Sequence, residues 1–403
     1  MDDVKNKSLL ISSSKYDSEF EDFTIQTDKI LLEDKSTDSF EHCTREIQTD
    51  KILMKSTISV NKIDEDLVNS IINIINDNNN SSNGIFKKFD SFYITNQILI
   101  SLIKQIKLQG YSLPIIGIET GANSHLAILY GKEYHDSWCF HTGKVMHIHR
   151  SNMYHIPCPG CPLAVRFGPQ AVLAIGTTTG KIILALNGEI LSESEISPFA
   201  ISSLQWLTLE NFIVGTLDGK IIVYTMKSTQ IVERKRTSLS ISDLPRKLRK
   251  SDSDMRSVGI TSVAVYDDLF VGGETGNIWR ITLSDFSKTN FGSQIGCIER
   301  ILCTTSKLIT LTSLAKAAVW SYSGDILIII DSRINDINLI NSNIMVFDTC
   351  DHNEIIFYSL DDNKEINRKQ LSHSLFSISD NKYLIYIDND MELHFYDIIF
   401  KSG

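Results

Sequence analysis

Four stretches decide how this chain folds: Thr142-Gly-Lys-Val-Met-His-Ile148, Thr179-Gly-Lys-Ile-Ile-Leu-Ala185, Asp218-Gly-Lys-Ile-Ile-Val-Tyr224 and Thr275-Gly-Asn-Ile-Trp-Arg-Ile281. Each joins a turn dipeptide to a short, mostly apolar run rich in β-branched residues, which reads as a turn entering a strand. Three later stretches lose the glycine and keep the run: Ala315-Lys-Ala-Ala-Val-Trp-Ser321, His352-Asn-Glu-Ile-Ile-Phe-Tyr358 and Asp390-Met-Glu-Leu-His-Phe-Tyr396. Their second residues fall at 143, 180, 219, 276, 316, 353 and 391, at intervals of 37, 39, 57, 40, 37 and 38. The long interval holds a polar insert, residues 234–256.

A period near 40 with several strands per unit is the signature of a β-propeller of the WD-repeat kind. Seven units predict seven blades. One such unit cannot bury both faces of its own sheet, so blades must pack on one another in a closed ring. The preceding runs Ala171-Val-Leu-Ala-Ile-Gly-Thr177, Asn211-Phe-Ile-Val-Gly-Thr216 and Leu269-Phe-Val-Gly-Gly273 end in small residues that suit a tight turn or a close blade contact. The Trp-Asp dipeptide typical of such repeats is absent; Val319-Trp-Ser321 and Phe395-Tyr-Asp397 come closest. The expected fold is all-β: a seven-bladed WD40-like β-propeller over residues 111–403, preceded by a disordered tail and short amphipathic helices.

Composition narrows the function. The 403-residue chain is 42% hydrophobic and 22% charged, as a globular protein is. Its net charge of -10 argues against nucleic-acid binding. No apolar run approaches the roughly 18 residues that span a bilayer, and the N-terminus lacks a signal pattern. Seven scattered cysteines suit a reducing compartment. A cytosolic protein without membrane insertion is expected.

Residues 1–61 read as an acidic, disordered tail, because charge is high and apolar density low. Within it the heptapeptide Ile-Gln-Thr-Asp-Lys-Ile-Leu occurs twice, at Ile25–Leu31 and Ile47–Leu53. Core packing does not explain a duplication in such a segment. An extended peptide adds a strand to an exposed sheet edge through its main chain, with alternate side chains giving specificity. The candidate docking residues are Ile25, Gln26, Thr27 and Asp28, and Ile47, Gln48, Thr49 and Asp50. Two copies in series bind well because each raises the local concentration of the next. Residues 62–110 carry apolar residues at helical spacing, first Ile63, Leu67, Val68, Ile71, Ile72, Ile74 and Ile75, then Phe89, Phe92, Ile98, Leu102, Ile103 and Ile106. These predict two amphipathic helices around an Asn-rich linker.

The Ile-Gln-Thr-Asp core resembles the Gln-Thr-centred motif bound by the small dimeric dynein light chain that acts as a hub. The pattern Ser124…Tyr130-Gly131…His135…Trp138-Cys139…His141…Gly143, with Cys161-Pro-Leu-Ala-Val-Arg-Phe-Gly-Pro-Gln170, is similar to blades one and two of the smaller WD-repeat intermediate chain of cytoplasmic dynein-2. That family serves the motor of retrograde intraflagellar transport. The resemblance covers the tail motifs and blades one to four; beyond about residue 285 it rests on period alone. It implies that the tail binds the hub light chain, that 62–110 takes a roadblock-type light chain, and that the propeller grips a dynein heavy chain. It also implies a second, larger intermediate chain as partner, and a location in cytoplasm, cytoskeleton and the base and axoneme of a cilium or flagellum.

Other motifs fit chemistry less well. Cys158-Pro-Gly-Cys161, with His147, His149 and His155 nearby, has no standard zinc spacing and leads into a strand, so a turn between blades one and two is expected. Gly176-Thr-Thr-Thr-Gly-Lys181 is one residue short of a phosphate loop, and Ile182 stands where magnesium needs a hydroxyl. Neither metal nor cofactor is expected, and no catalytic residue is assigned. The basic insert reads as a charged, solvated loop; contact with an acidic partner, or phosphorylation at Ser238, Ser240 or Ser251, is the alternative. Two other functions stay open. An adaptor of a vesicle coat or intraflagellar train would not need the twin strands. A propeller enzyme would need ionisable residues clustered at equivalent positions of several blades, and none is legible.

Overall fold

The computed structural model describes residues 97–401, apart from 109–111, 133–140, 228–229, 247–248, 250–256 and 373–374. The chain divides into two units, residues 1–73 and 74–403. The first, with both Ile-Gln-Thr-Asp copies, lies outside the described residues, as do residues 74–96.

Among the described residues, the second unit holds seven four-stranded antiparallel sheets. Each is a blade whose strands, from the inside outwards, are here called a, b, c and d; in six blades they follow one another in sequence. Blade one comprises Ile115–Gly121, His125–Tyr130, Gly143–His149 and Asn152–Cys158. Blade two begins with strand a at Pro162–Phe167, blade three at Ile201–Trp206, blade four at Ile260–Val265, blade five at Ile298–Cys303, blade six at Ile334–Leu339 and blade seven at Leu375–Ser379. Each strand a contacts those of the neighbouring blades, and the a strands of blades seven and one meet as well, so the ring closes.

Closure comes from the two ends of the described chain. Strand d of blade seven is Gln97–Lys107, paired antiparallel with the C-terminal strand Glu392–Lys401. The amphipathic helix expected through Ile98, Leu102, Ile103 and Ile106 is therefore a strand, and the propeller starts before residue 111. The helical spacing misled because a bulge between Leu102 and Lys104 inserts Ile103, which breaks the two-residue alternation. Of these four, Ile98 is buried and Ile106 half-buried, while Leu102 and Ile103 are exposed.

The core is seven separate apolar clusters, each shared by two adjacent blades. That arrangement follows from the sheet: both faces of strands b and c are apolar, and each face needs the next blade to cover it. The glycines ending three b strands make the contact close. A Cβ on Gly176, Gly215 or Gly272 would fall within 2.4 Å, 2.6 Å or 2.5 Å of Ile201, Ile260 or Ile298, the first residue of the following blade.

The repeated turn dipeptides connect strands b and c. Gly180, Gly219 and Gly276 have φ of 73°, 81° and 80°, the left-handed region that glycine tolerates. Asn353 and Met391 keep that conformation, at 50° and 62°, in units that lost the glycine. Gly176–Lys181 is such a turn, in which Thr177 Oγ1 accepts from the Lys181 amide at 3.1 Å; Thr216 does the same for Lys220.

The polar insert is partly structured. Arg234, Lys235 and Arg236 belong to strand d of blade three, Gln230–Ser238. Leu239, Leu244 and Val258 are buried in the cluster between blades three and four. Arg249 donates to the Leu244 and Ser242 carbonyls at 2.9 Å and 2.7 Å. The expectation of a wholly solvated loop misses these leucines because its abundant basic residues mask them.

Candidate functional site

Two features of the ring offer binding chemistry: the central channel and the outer rim. The channel is walled by the a strands. A cavity of about 220 Å³ is lined by residues from blades one to five, among them Glu119, Arg166, Ser203, Thr261, Glu299 and Arg300. Arg166 Nη1 donates to Glu119 Oε2 at 2.6 Å. Arg300 pairs with Asp336 of blade six and donates to Asn338 Oδ1 at 3.2 Å. Glu119 feels both Arg166 and Arg300, so the two pairs form one charged group around the channel.

Burial pushes the carboxyls of Glu119, Asp336 and Glu299 above the usual carboxylate range; the guanidiniums pull the first two back down. Glu299 has no such relief, and the nearby Asp336 raises it further. It is exposed to the channel and has no ion pair among the described residues. The Ser203 hydroxyl lies behind this wall, buried over Gly215 of strand b, and has no partner among the described residues.

An ionisable cluster that the sequence did not disclose is thus assembled by the fold. Glu119 and Arg166 are each the fifth residue of their a strand, and Arg300 and Asp336 each the third. The available signal was charge inside otherwise apolar a strands. It could be read only once strand a of each blade had been aligned, and the repeat markers lie in the b–c turns.

On the rim, the seven d strands are structural equivalents with different chemistry. Those of blades two, three and six are Glu189–Glu195, Gln230–Ser238 and Lys364–Gln370, rich in charge. Strand d of blade five is Ile326–Ile330, with sequence Ile-Leu-Ile-Ile-Ile and no polar residue. Ile326, Leu327 and Ile329 are 46%, 51% and 65% exposed. Strand d of blade seven exposes Leu99, Leu102 and Ile103, with Ile399 and Phe400 on the strand beside it. An edge strand usually carries charge or proline that blocks pairing; these two carry apolar side chains over most of their length.

The remaining sequence candidates have structural roles. Cys158 ends blade one and Cys161 precedes blade two, so Cys158–Cys161 is the connection between them. Burial pushes the Cys158 thiol up to about 12, away from the thiolate that zinc binds. His147 Nε2 faces His125 Nδ1 at 2.9 Å, and His149 stacks on His125 with centroids 3.8 Å apart. In blade seven, Asp388, Glu392 and His394 approach one another. Asp388 already accepts from the amides of Asp390 and Glu392 and contacts His394 Nε2 at 2.7 Å, which makes it the clasp of a b–c turn. Of the first-blade pattern, the Ser124 amide donates to Asp380 Oδ2 of blade seven at 2.9 Å, a latch across the ring closure. Tyr130 is buried, and His135, Trp138 and Cys139 lie outside the described residues.

No family model matches the chain, and no curated protein matches it. Solved structures do. The chain is similar to a structure of BBS1N in complex with ARL6DN, with TM-score 0.58 at 12% identity, covering 76% of this chain and 99% of that one. It is similar to a chain of the mitotic checkpoint complex, with TM-score 0.56 at 10% identity over 74% and 96% of the two chains. It is similar to the Cps50 (Swd1) β-propeller domain of Myceliophteria thermophila, with TM-score 0.53 at 10% identity over 75% and 100%. At such identities the likeness establishes architecture alone: a seven-bladed WD40-like propeller. Among the described residues, no helix is long and apolar enough to cross a membrane.

Proposed function

We propose that this chain is a non-catalytic intermediate chain of a ciliary dynein motor that drives retrograde intraflagellar transport. The observation that carries this reading is the exact duplication of Ile-Gln-Thr-Asp-Lys-Ile-Leu at 25–31 and 47–53, upstream of a propeller. Each copy supplies a strand for a dimeric light chain, through Ile25–Asp28 and Ile47–Asp50. A two-fold light-chain dimer then clamps this tail against that of a second intermediate chain. Residues before the propeller take a roadblock-type light chain, and the propeller holds the heavy chain. The apolar outer strands of blades five and seven support a protein-binding rim. Covering the exposed halves of Ile326, Leu327 and Ile329 is worth about 1 kcal/mol each to a partner.

The test mixes a peptide spanning residues 18–56 with the dimeric light chain and follows binding by calorimetry. Binding that is lost in the Gln26→Ala, Gln48→Ala double variant supports the reading. No binding by the wild-type peptide, or equal binding by the variant, refutes it. A tagged chain should also concentrate at the base and along the shaft of a cilium; diffuse cytosolic signal would favour an adaptor outside the motor.

A further inference from the structure

We propose that the central channel is a receptor for one basic side chain, a guanidinium or an ammonium, presented by a loop of a partner protein. The inference is independent of the motor reading. It rests on charge, on size and on the hydrogen-bonding chemistry of the wall.

Charge comes first. Glu119, Glu299 and Asp336 face Arg166 and Arg300, three carboxylates against two guanidiniums. Arg166 is bound to Glu119, and Arg300 to Asp336 and Asn338. Glu299 is the carboxylate left over. An incoming anion would have to break one of those pairs and then sit beside Glu299. A neutral guest would bury Glu299 without a counter-charge, which is costly. A cation meets Glu299 directly and leaves both existing pairs intact.

Size discriminates further. The cavity of about 220 Å³ is below the roughly 300–1,000 Å³ of cofactor and small-molecule sites. It holds about seven waters at roughly 30 Å³ each, which matches the seven heavy atoms of an arginine side chain beyond Cα. The wall offers more than a counter-charge. Thr261 lines it, its hydroxyl donating to the Gly272 and Ile298 carbonyls at 3.2 Å and 2.6 Å, so that its oxygen can still accept. Hydroxyl oxygens accept from the N–H groups that Glu299 leaves over.

The experiment titrates the propeller with three capped tripeptides, acetyl-Ala-Arg-Ala-amide, acetyl-Ala-Lys-Ala-amide and acetyl-Ala-Gln-Ala-amide, by calorimetry at low salt. The arginine or the lysine peptide is expected to bind, and the stronger of the two names the preferred head group. The glutamine peptide is expected not to bind. Glu299→Gln, a near-isosteric change at an exposed side chain, should weaken binding about tenfold or more, the loss of one charge-assisted hydrogen bond. On the wild-type protein, raising salt from 50 to 500 mM should weaken a channel-bound cation less than one held on the outer surface. The proposal is overturned if no basic peptide binds, if the glutamine peptide binds as well, or if Glu299→Gln binds unchanged, since the peptide then sits elsewhere on an acidic protein.

Discussion

Lowering the pH from 7 to 5 should destabilise the propeller through His147. The residue is 1% exposed on strand c of blade one, between Tyr154 and Phe167, with His125 on its Nε2. Burial, then the neighbouring His125 and His149, lowers it from the ordinary 6.5 to about 4. His125 is also lowered, by burial, by His149 and by Arg150, with Asp380 opposing. Between pH 6.5 and 4 the unfolded chain therefore binds more protons than the native one. Stability contributed by neutral His147 is complete above pH 6.5, falls as the pH drops, and has gone below about 4. For a single group with these two values, the loss between pH 7 and pH 5 is about 2 kcal/mol. The assay is urea unfolding followed by tryptophan fluorescence at pH 7, 6 and 5, on wild type and on His147→Gln. Glutamine can still donate to or accept from His125 but does not titrate. Every carboxylate contributes to both profiles, so the difference between them isolates His147. The expected result is a gap that closes, or reverses, by about 2 kcal/mol towards pH 5. Parallel profiles would refute the reasoning, because they would mean that His147 is protonated without penalty in the native protein.

Other perturbations test the packing and the rim. Gly180→Ala places a Cβ 1.8 Å from the Ser197 carbonyl oxygen at a φ of 73°, and thermal melting should show a loss of several kcal/mol, well above the roughly 1–2 kcal/mol of left-handed strain alone. Met391→Gly relieves that strain where no glycine remains, at φ 62°; it should be neutral or stabilising by up to about 1 kcal/mol in the same assay. Arg300→Met strands Asp336 in the channel wall; chemical denaturation should show a loss of about 2–3 kcal/mol, less than the roughly 3–5 kcal/mol of a fully buried pair because the Arg300 side chain is 24% exposed. Ile329→Lys on strand d of blade five should change stability by no more than about 0.5 kcal/mol, yet remove any partner captured on that edge in a pull-down; unchanged capture would exclude the edge as a docking site.

How much was legible in the sequence varies by element, and the reasons are physical. The b–c turns recur because a tight reversal needs left-handed backbone, and Gly180, Gly219 and Gly276 advertise it. Asn353 and Met391 adopt the same backbone without advertising it, yet the 37- and 38-residue intervals kept them in register. The outermost strand of blade seven reads as a helix because Ile98, Leu102 and Ile106 stand four residues apart, and a β-bulge at Ile103 interrupts the alternation that would mark a strand. The insert reads as solvated from its charges, while Leu239 and Leu244 decide where it lies.

Local backbone demands and the alternation of apolar runs are short-range properties, so the order of residues alone determined that this is a ring of seven blades and where each blade turns. The channel charges, the histidine pair and the closure by Gln97–Lys107 join residues far apart along the chain. Arg300 meets Asp336 from the next blade, and Ser124 meets Asp380 across 256 positions. Such neighbours are chosen by the closing of the ring, which brings the innermost strands side by side; no periodicity in one dimension records which of them carries the unmatched charge. The tertiary structure alone decided that it is Glu299.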